Sequence, residues 1–378
     1  MGKLVGVLVA LIVIAAAAVA GGWFWLDSAY TAQGPKTADG KPRAVLIEKG
    51  SSSGAIATKL KEAGAISDDS QFKLALRVRE MLPASLGGEK PVMKAGEYEL
   101  ESGASMEEIV KVLSTGSPLQ YAVIVPEGLT SAMIVSLLAE KDWKATGGAG
   151  STYKLAGPIP ALPDEGVLLP GDYAVMRGDT VGEVIDRMKK AQEDLIGKLW
   201  AERKIEPLVK LYQEDKKLGG VKVAEPLKSA REAIILASVI EKETGNAAEQ
   251  PEVAAALIGR LITGVRLEAD ATIVYGLTKG APLGRAMTSK EVHTATDWNT
   301  YEMAGLPKTP ICNPGAGAIA AALQPAMSKA RFFMADGKGG HIFAVTYAEH
   351  QKNVDAYWKL RKQNEAAGVN TPAVKPKQ

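Results

Sequence analysis

The first strong feature in the hydrophobic pattern is an uninterrupted run of apolar, alanine and glycine residues over 4–26. A helix needs about 20 such residues to cross the hydrocarbon core of a bilayer. Lys3 precedes the run, Asp27 closes it, and Trp23 and Trp25 suit a membrane–water interface. The pattern predicts a membrane anchor over 1–27 with a short cytoplasmic N-terminus and the bulk of the chain outside the cytoplasm. Ala18-Val19-Ala20 before Gly21 resembles a cleavage site, but the run outlasts a usual signal-peptide core, which favours a retained anchor.

Beyond the anchor the pattern alternates between strand and helix periods. Residues 28–43 are polar with glycine and proline and read as a linker. AVLIEK (44–49) reads as a strand, and Ser53 opens a helix whose apolar face is Ile56, Leu60 and Ala63. GEYEL (96–100) alternates like a strand, and Ser105 with Glu108 makes a capping box ahead of Ile109, Val112 and Leu113. These elements predict a small α+β module over 44–116, either a ligand-binding module or a plain spacer. A strand in YAVIVPEG (121–128) leads to an amphipathic helix begun at Thr130. Residues 144–180 read as irregular, with LLPGDYAV (168–175) as a wall or strand. Thr180 and Glu183 box the start of a helix that buries Val181, Val184, Ile185, Met188, Leu195 and Leu199. FFMADGKGGHIFAV (332–345) reads as a hairpin, because it lacks the strand-loop-helix context and the GKS/GKT ending of a phosphate loop. The end of the chain, 361–378, reads as a disordered tail.

After a charged loop, Ser229 and Glu232 open an apolar helix that ends in IEKETG. With Leu236 at the zero of a helical wheel, Ile235, Val239 and Ile240 fall in one stripe and Glu243 lands near its middle. Glu241 falls on the opposite side. A carboxylate kept on a buried face is expensive, and desolvation favours its neutral form. Glu243 is therefore the candidate general acid, at the lip of the core where Gly245 stops the helix. The plainer alternative is a solvated glutamate in a frayed last turn.

Composition narrows the chemistry. Forty-five basic and 43 acidic residues leave a net charge of +2, which gives no sign of a nucleic-acid partner. The single Cys312 rules out an internal disulfide, and three histidines make a His/Cys metal cage improbable. No cofactor or metal is expected. Arg260, on a helix with Val253, Leu257 and Leu261, is either a solvated charge or a clamp on the acid or substrate. Asp270, in LEADAT, is either a turn or capping residue or a second carboxylate. Tyr275 and Asn299-Thr300-Tyr301 supply the aromatic faces, amides and hydroxyls that suit sugars. GLPKTPICNPG (305–315), which holds Asn313, reads as a rigid irregular wall. The absence of a GxSxG elbow leaves serine-nucleophile chemistry without support.

Laid out together, these pieces resemble the YceG-like endolytic murein transglycosylases. The matching segments are ASVIEKETG (237–245), GRLITGVRLEADATIVYGL (259–277), NTYEMAGLPKTPICNPG (299–315), FFMADGKGGHIFAV (332–345) and the pair Glu349-His350. They run in order over 121–357, and the anchor and the 44–116 module fit too. The resemblance implies an α+β chain with a transmembrane helix, a LysM-like module at 44–116 and a mixed α/β YceG-like catalytic domain at 117–360. It implies that Glu243 is catalytic. Asp270, Tyr275, Asn299, Tyr301 and Asn313 stand as substrate contacts or loop scaffolding, with Arg260 and His341 in support. It further implies peptidoglycan glycan strands as substrate, peptidoglycan synthases (penicillin-binding proteins) as neighbours, and a periplasmic site on a single-pass protein of the inner membrane. The implied reaction is non-hydrolytic cleavage between N-acetylmuramic acid and N-acetylglucosamine, leaving a 1,6-anhydro end and ending strand growth. The rivals are a hydrolytic muramidase using Glu243 and Asp270, and a membrane-anchored glycan-binding scaffold without activity. Three positions depart from the family pattern: Gly259 replaces an asparagine, Ala271 a proline and Trp298 a tyrosine. The first two are expected to loosen the loop carrying Asp270.

Overall fold

The computed structural model describes residues 2–83, 88, 90–146, 151–215, 225–337 and 340–366. In chain order its elements are α1 (Gly2–Thr31), β1 (Arg43–Ile47), α2 (Ser53–Glu62), α3 (Asp69–Met81), β2 (Gly96–Leu100), α4 (Met106–Thr115), β3 (Tyr121–Val125), α5 (Ser131–Glu140), β4 (Asp142–Lys144), β5 (Thr152–Lys154) and β6 (Gly171–Val175). There follow α6 (Val181–Ala201), α7 (Glu206–Gln213), α8 (Ala230–Glu243), α9 (Gln250–Thr263), α10 (Asp270–Thr278), α11 (Ser289–Val292), α12 (Ala316–Leu323), β7 (Phe332–Ala335), β8 (His341–Ala344) and α13 (Tyr347–Ala366). The chain forms two compact units. The first holds the described residues up to Val123 with Asp142–Leu155 and Ala174–Asp179; the second holds Ile124–Lys141, Ala156–Tyr173 and the described residues from Thr180 on.

In the first unit β1 and β2 pair antiparallel, with Val45 opposite Tyr98 and Ile47 opposite Gly96. The inward positions Val45, Ile47, Tyr98 and Leu100 join Leu60, Phe72 and Ile109 in one core, so the β-α-α-β-α order closes on itself. Local chemistry sets the helix starts: the Ser52 hydroxyl accepts the Ala55 amide, and Ser105 and Glu108 complete the expected capping box. The β4–β5 hairpin and the 174–179 segment belong to this unit as well, although the sequence reading assigned them to the catalytic domain. Arg177 fixes them there. Its Nε donates to the buried Glu97 carboxylate at 2.7 Å, and its Nη2 donates to the Tyr121 hydroxyl at 3.1 Å.

The anchor reading needs one adjustment. Among the described residues one helix is long and apolar enough to cross a membrane, Val5–Thr31, and it runs four residues past the expected end at 27. Its last turn is part of the folded unit: Leu26 and Tyr30 are buried with Phe72 and Leu76, and Arg79 pairs with Asp27 at 2.5 Å. The 28–43 stretch is likewise no free linker. Gly34 donates to the Gly103 carbonyl, and the Thr37 amide donates to the Ser102 hydroxyl.

The second unit is built around α8. Every residue from Ala233 to Ile240 is buried, with α9, α10, α12 and α6 packed about the helix. A helix apolar all round is the central helix of its domain, so the stripe expected from the wheel is a full sleeve. The Ser229 hydroxyl accepts the Glu232 amide at the start of α8, and the Thr180–Glu183 box opens α6 as expected. The 332–345 segment is a hairpin, with Phe333 opposite Phe343. The tail expected from 361 is helical as far as Ala366 in α13; its remainder, 367–378, lies outside the described residues.

Candidate active site

Glu243 is the last residue of α8, half-buried, with Thr244 as the C-cap donating back to the Ile240 carbonyl. Thr244 also ties the next turn, accepting the Asn246 amide and donating to Glu249 at 3.4 Å. The carboxylate thus stands on a rigid helix end. Its charge acts on two groups, the buried Arg260 guanidinium and the half-buried Tyr301 hydroxyl.

Arg260, 5% exposed, organises the floor of this site. Its Nε donates to the Arg331 carbonyl at 2.6 Å, and its Nη1 reaches the carbonyls of Arg266 and Leu267 and the Glu268 carboxylate. The solvated-charge reading is therefore excluded, and the clamp acts on the 266–268 turn. Burial draws its pKa down from the ordinary arginine range, and the charges of Glu268 and Glu243 oppose that shift. Glu268 itself has φ +49°, a left-handed conformation that only a few per cent of non-glycine residues adopt. It is the residue the sequence reading missed: LEAD contains two carboxylates, and nothing local marks the first as the partner of Arg260.

Asp270 opens α10 instead of sitting in a loop. Its Oδ1 accepts the Tyr301 hydroxyl at 2.7 Å. Burial, that hydrogen bond and the charges of Asp270, Glu243 and Glu268 push the Tyr301 phenol far above its usual range, so it remains a donor. Buried hydroxyls hold this geometry. Thr272 and Thr300 lie 3.0 Å apart, and Thr300 accepts the Ala269 amide at 3.0 Å. Glu243, Arg260, Glu268, Asp270 and Tyr301 therefore form one electrostatically coupled cluster.

The other expected site residues have different places. Asn299 is 1% exposed and its amide is used up: Nδ2 donates to the carbonyls of Val292 and Thr294, and Oδ1 accepts the Tyr301 amide. Asn313 is fully buried, with Oδ1 accepting the amides of Gly166 and Leu168 and Nδ2 donating to Leu129 and Ser131. Both Nδ2 protons of Asn299 and both lone pairs of Asn313 Oδ1 are spent on the protein, a geometry that holds the surrounding loops together. Tyr275 packs edge-on to Trp298 with centroids 5.5 Å apart, and burial raises its phenol to about 12. It lies five residues along α10 from Asp270 and so on another face of that helix. His341 holds Glu249, Nδ1 to Oε2 at 2.7 Å, and lies against Phe333. Sequence gave no sign of that partnership across 92 positions. Glu349 accepts the amides of Val345 and Thr346 at the start of α13, and His350 stacks on Phe332.

Glu241 lies on another side of α8 from Glu243, where it meets Gly315, whose amide donates to Oε2 at 3.1 Å. Burial raises its pKa, reinforced by Glu127 and opposed by the Gly315 hydrogen bond and Lys242. The folded state therefore holds this proton more tightly than the unfolded chain does. Its stabilising effect is fullest below the unfolded glutamate pKa and is lost as pH rises through the folded one. Glu241→Gln stays neutral, so its melting temperature should gain on the wild type as pH rises above about 4. Parallel melting curves across that range would rule the account out.

The three departures from the family pattern are accommodated locally. A Cβ at Gly259 would come within 2.1 Å of the Tyr212 hydroxyl, so the glycine is matched to the tyrosine ring packed on it. Ala271 is the second residue of α10 and packs against the core. Trp298 donates from Nε1 to Thr309 at 2.9 Å, and Lys279 stands over its ring. Asp270, expected in a loop, is the first residue of α10.

A model of the YceG-like family matches residues 45–356. An endolytic murein transglycosylase of Bacillus subtilis (strain 168) is 24% identical over 342 residues, 83% of this chain and 84% of that protein. An endolytic murein transglycosylase of Streptococcus pneumoniae serotype 2 (strain D39 / NCTC 7466) is 23% identical over 92% of this chain, which spans 64% of that relative's length. A crystal structure of a YceG-like protein from Listeria monocytogenes aligns over 82% of this chain and 98% of its own, with 24% identity and a TM-score of 0.43.

Proposed function

This chain belongs to the YceG-like family, and on that premise we propose that it is an endolytic murein transglycosylase. It cuts the N-acetylmuramic acid–N-acetylglucosamine bond within nascent glycan strands and leaves a 1,6-anhydro end. The observation that carries the reading is the cluster at the end of α8, where the Glu243 charge acts on the buried Arg260 and on Tyr301, itself hydrogen-bonded to Asp270.

Glu243 gives its proton to the glycosidic oxygen as the bond breaks. The same carboxylate then takes the proton of the muramoyl 6-hydroxyl, whose oxygen closes onto C1. One residue serves as acid and then base, unlike the two-carboxylate scheme of most glycosidases. Tyr301, kept protonated, and Asp270 orient the sugar, and Arg260 with Glu268 holds the turn beneath them. Asn299 and Asn313 keep the 292–301 and 313–315 loops in register around the site. His341, through Glu249, steadies the turn after Glu243.

The β-α-α-β order of the first unit supports a LysM-like role in holding glycan. The Val5–Thr31 helix supports a single-pass anchor in the inner membrane with the catalytic unit in the periplasm, beside the synthases that extend the strand. The test is the mass of the products from uncrosslinked strands. Ends lighter by one water than hydrolysis products are expected. Water-added ends would transfer the reading to a muramidase with Asp270 as second carboxylate, and binding without any product would leave a glycan-binding scaffold.

A further inference from the structure

Helix α3 has two apolar faces. Phe72, Ala75 and Leu76 turn into the core of the first unit. Leu74, Val78 and Leu82 follow one another at four-residue spacing on another side, where they form one wall of a groove of about 720 Å³. The opposite wall is the second half of α1, including Ala16, Val19 and Trp23, and every residue lining the groove is apolar or glycine. Leu74 is 48% exposed and Met81, next to the groove, 77%. A helix facing water carries a polar outer face, so an open apolar one needs a partner.

The partner follows from continuity. One wall is the lateral surface of the helix that is apolar enough to cross a membrane, and its most apolar stretch is not buried against the rest of the chain. At the end of the groove nearer the folded unit stands Arg79, paired with Asp27, its guanidinium 4.0 Å from the Tyr30 ring centroid and 5.5 Å from that of Trp23. An arginine among aromatic rings marks headgroup depth, and the groove runs from there along α1 back to Ala16, toward the hydrocarbon.

We infer that α3 is immersed in the leaflet facing the folded chain and that the groove is filled by acyl chains of membrane phospholipids. The first unit then lies against the bilayer through α3 as well as α1, with Arg79 at the headgroup level. This rests on the reading of α1 as a membrane span.

The test uses the full chain in phosphatidylcholine vesicles whose acyl chains carry a nitroxide. Bimane is attached at one new cysteine at a time: Leu74→Cys, Val13→Cys in the middle of α1, or Glu62→Cys on the exposed side of α2. The native Cys312 is fully buried and stays unlabelled. The probe at position 74 should be quenched by the lipid nitroxide nearly as strongly as that at 13 and several-fold more than that at 62, with the reverse order for aqueous iodide. Iodide quenching at 74 alongside lipid quenching at 13 would leave the anchor standing and overturn the inference. No lipid quenching at 13 would overturn both. A probe at 74 shielded from both quenchers, with crosslinking between copies of the unlabelled Leu74→Cys variant through that cysteine, would assign the groove to a second copy of the chain and overturn the lipid.

Discussion

Glu243→Gln should abolish product release while leaving the fold and glycan affinity intact. Glutamine keeps the volume and the hydrogen-bonding oxygen but neither gives nor takes the proton. General acid–base catalysis by one positioned group is worth about 10² to 10⁴ in rate. Here one residue acts in both halves of the reaction, so the loss should lie at the upper end, at least about a thousandfold, or roughly 4 kcal/mol in the barrier. Stability should change by less than about 1 kcal/mol, because the residue is half-buried at a helix end and leaves no cavity. Turnover on uncrosslinked strands, glycan binding and a thermal melt together decide the matter. A variant that keeps a tenth of its activity would sink Glu243 as the acid. The contrast is Asp270→Asn, which still accepts the Tyr301 hydroxyl and should cost about tenfold or less as a positioning change. A collapse with Asp270→Asn equal to that of Glu243→Gln would favour the two-carboxylate muramidase.

The split between these two glutamates of α8 shows which parts of the site were readable in one dimension. The 3.6-residue period correctly separated Glu241 from Glu243 around the helix. It did not tell which of them enters a protein environment, because the period reports a face and not what covers it. Glu241 is covered by Gly315, more than seventy residues on, and no local pattern announces that loop. Helix starts, by contrast, depend on contacts three residues apart. The boxes at Ser105–Glu108 and Thr180–Glu183 were therefore readable outright, as was the 332–345 hairpin. Asn299 and Asn313 show the remaining difficulty. An amide in an irregular loop is equally suited to a sugar and to the protein's own loops, and only three dimensions reveal that neighbouring backbone and the Ser131 hydroxyl have taken most of these donors and acceptors. The anchor was misjudged by one turn for a related reason. After Leu26, Asp27, Ser28 and Thr31 break the hydropathy run, yet Tyr30 is buried under Arg79, which a hydropathy profile does not see.

Arg260 carries the largest expected effect on stability. It is a charge with 6% side-chain exposure, satisfied by three carbonyls and one carboxylate, with Phe332 stacked beneath the guanidinium at 5.4 Å. Arg260→Met keeps most of the packing volume and removes the donors. The carbonyls of Arg266, Leu267 and Arg331 then lose their partner, and Glu268 keeps a charge with nothing opposite it. Removing one member of a fully buried pair costs about 3–5 kcal/mol; here Arg260 is buried but the Glu268 side chain is 36% exposed, so the cost should be roughly 2–4 kcal/mol, most of it from the carbonyls left without a donor. For a unit of this size that is a fall of about 10 °C in melting temperature. The left-handed backbone at Glu268 sharpens the expectation. Such a conformation costs on the order of 1 kcal/mol and persists only where the surroundings impose it. Without Arg260 the turn is free to relax, and Asp270 and Tyr301 move with it, so activity should fall together with stability. Arg260→Lys restores the charge without the fork and should recover only part of the loss. The informative variant is Arg260→Met combined with Glu268→Gln, which removes both charges. If the cost lies in the stranded carboxylate, the double variant melts above the single one. If it lies in the three carbonyls, the two melt together, and Arg260 is a backbone clamp to which Glu268 is incidental. A fall of less than about 1 kcal/mol in Arg260→Met would contradict both accounts.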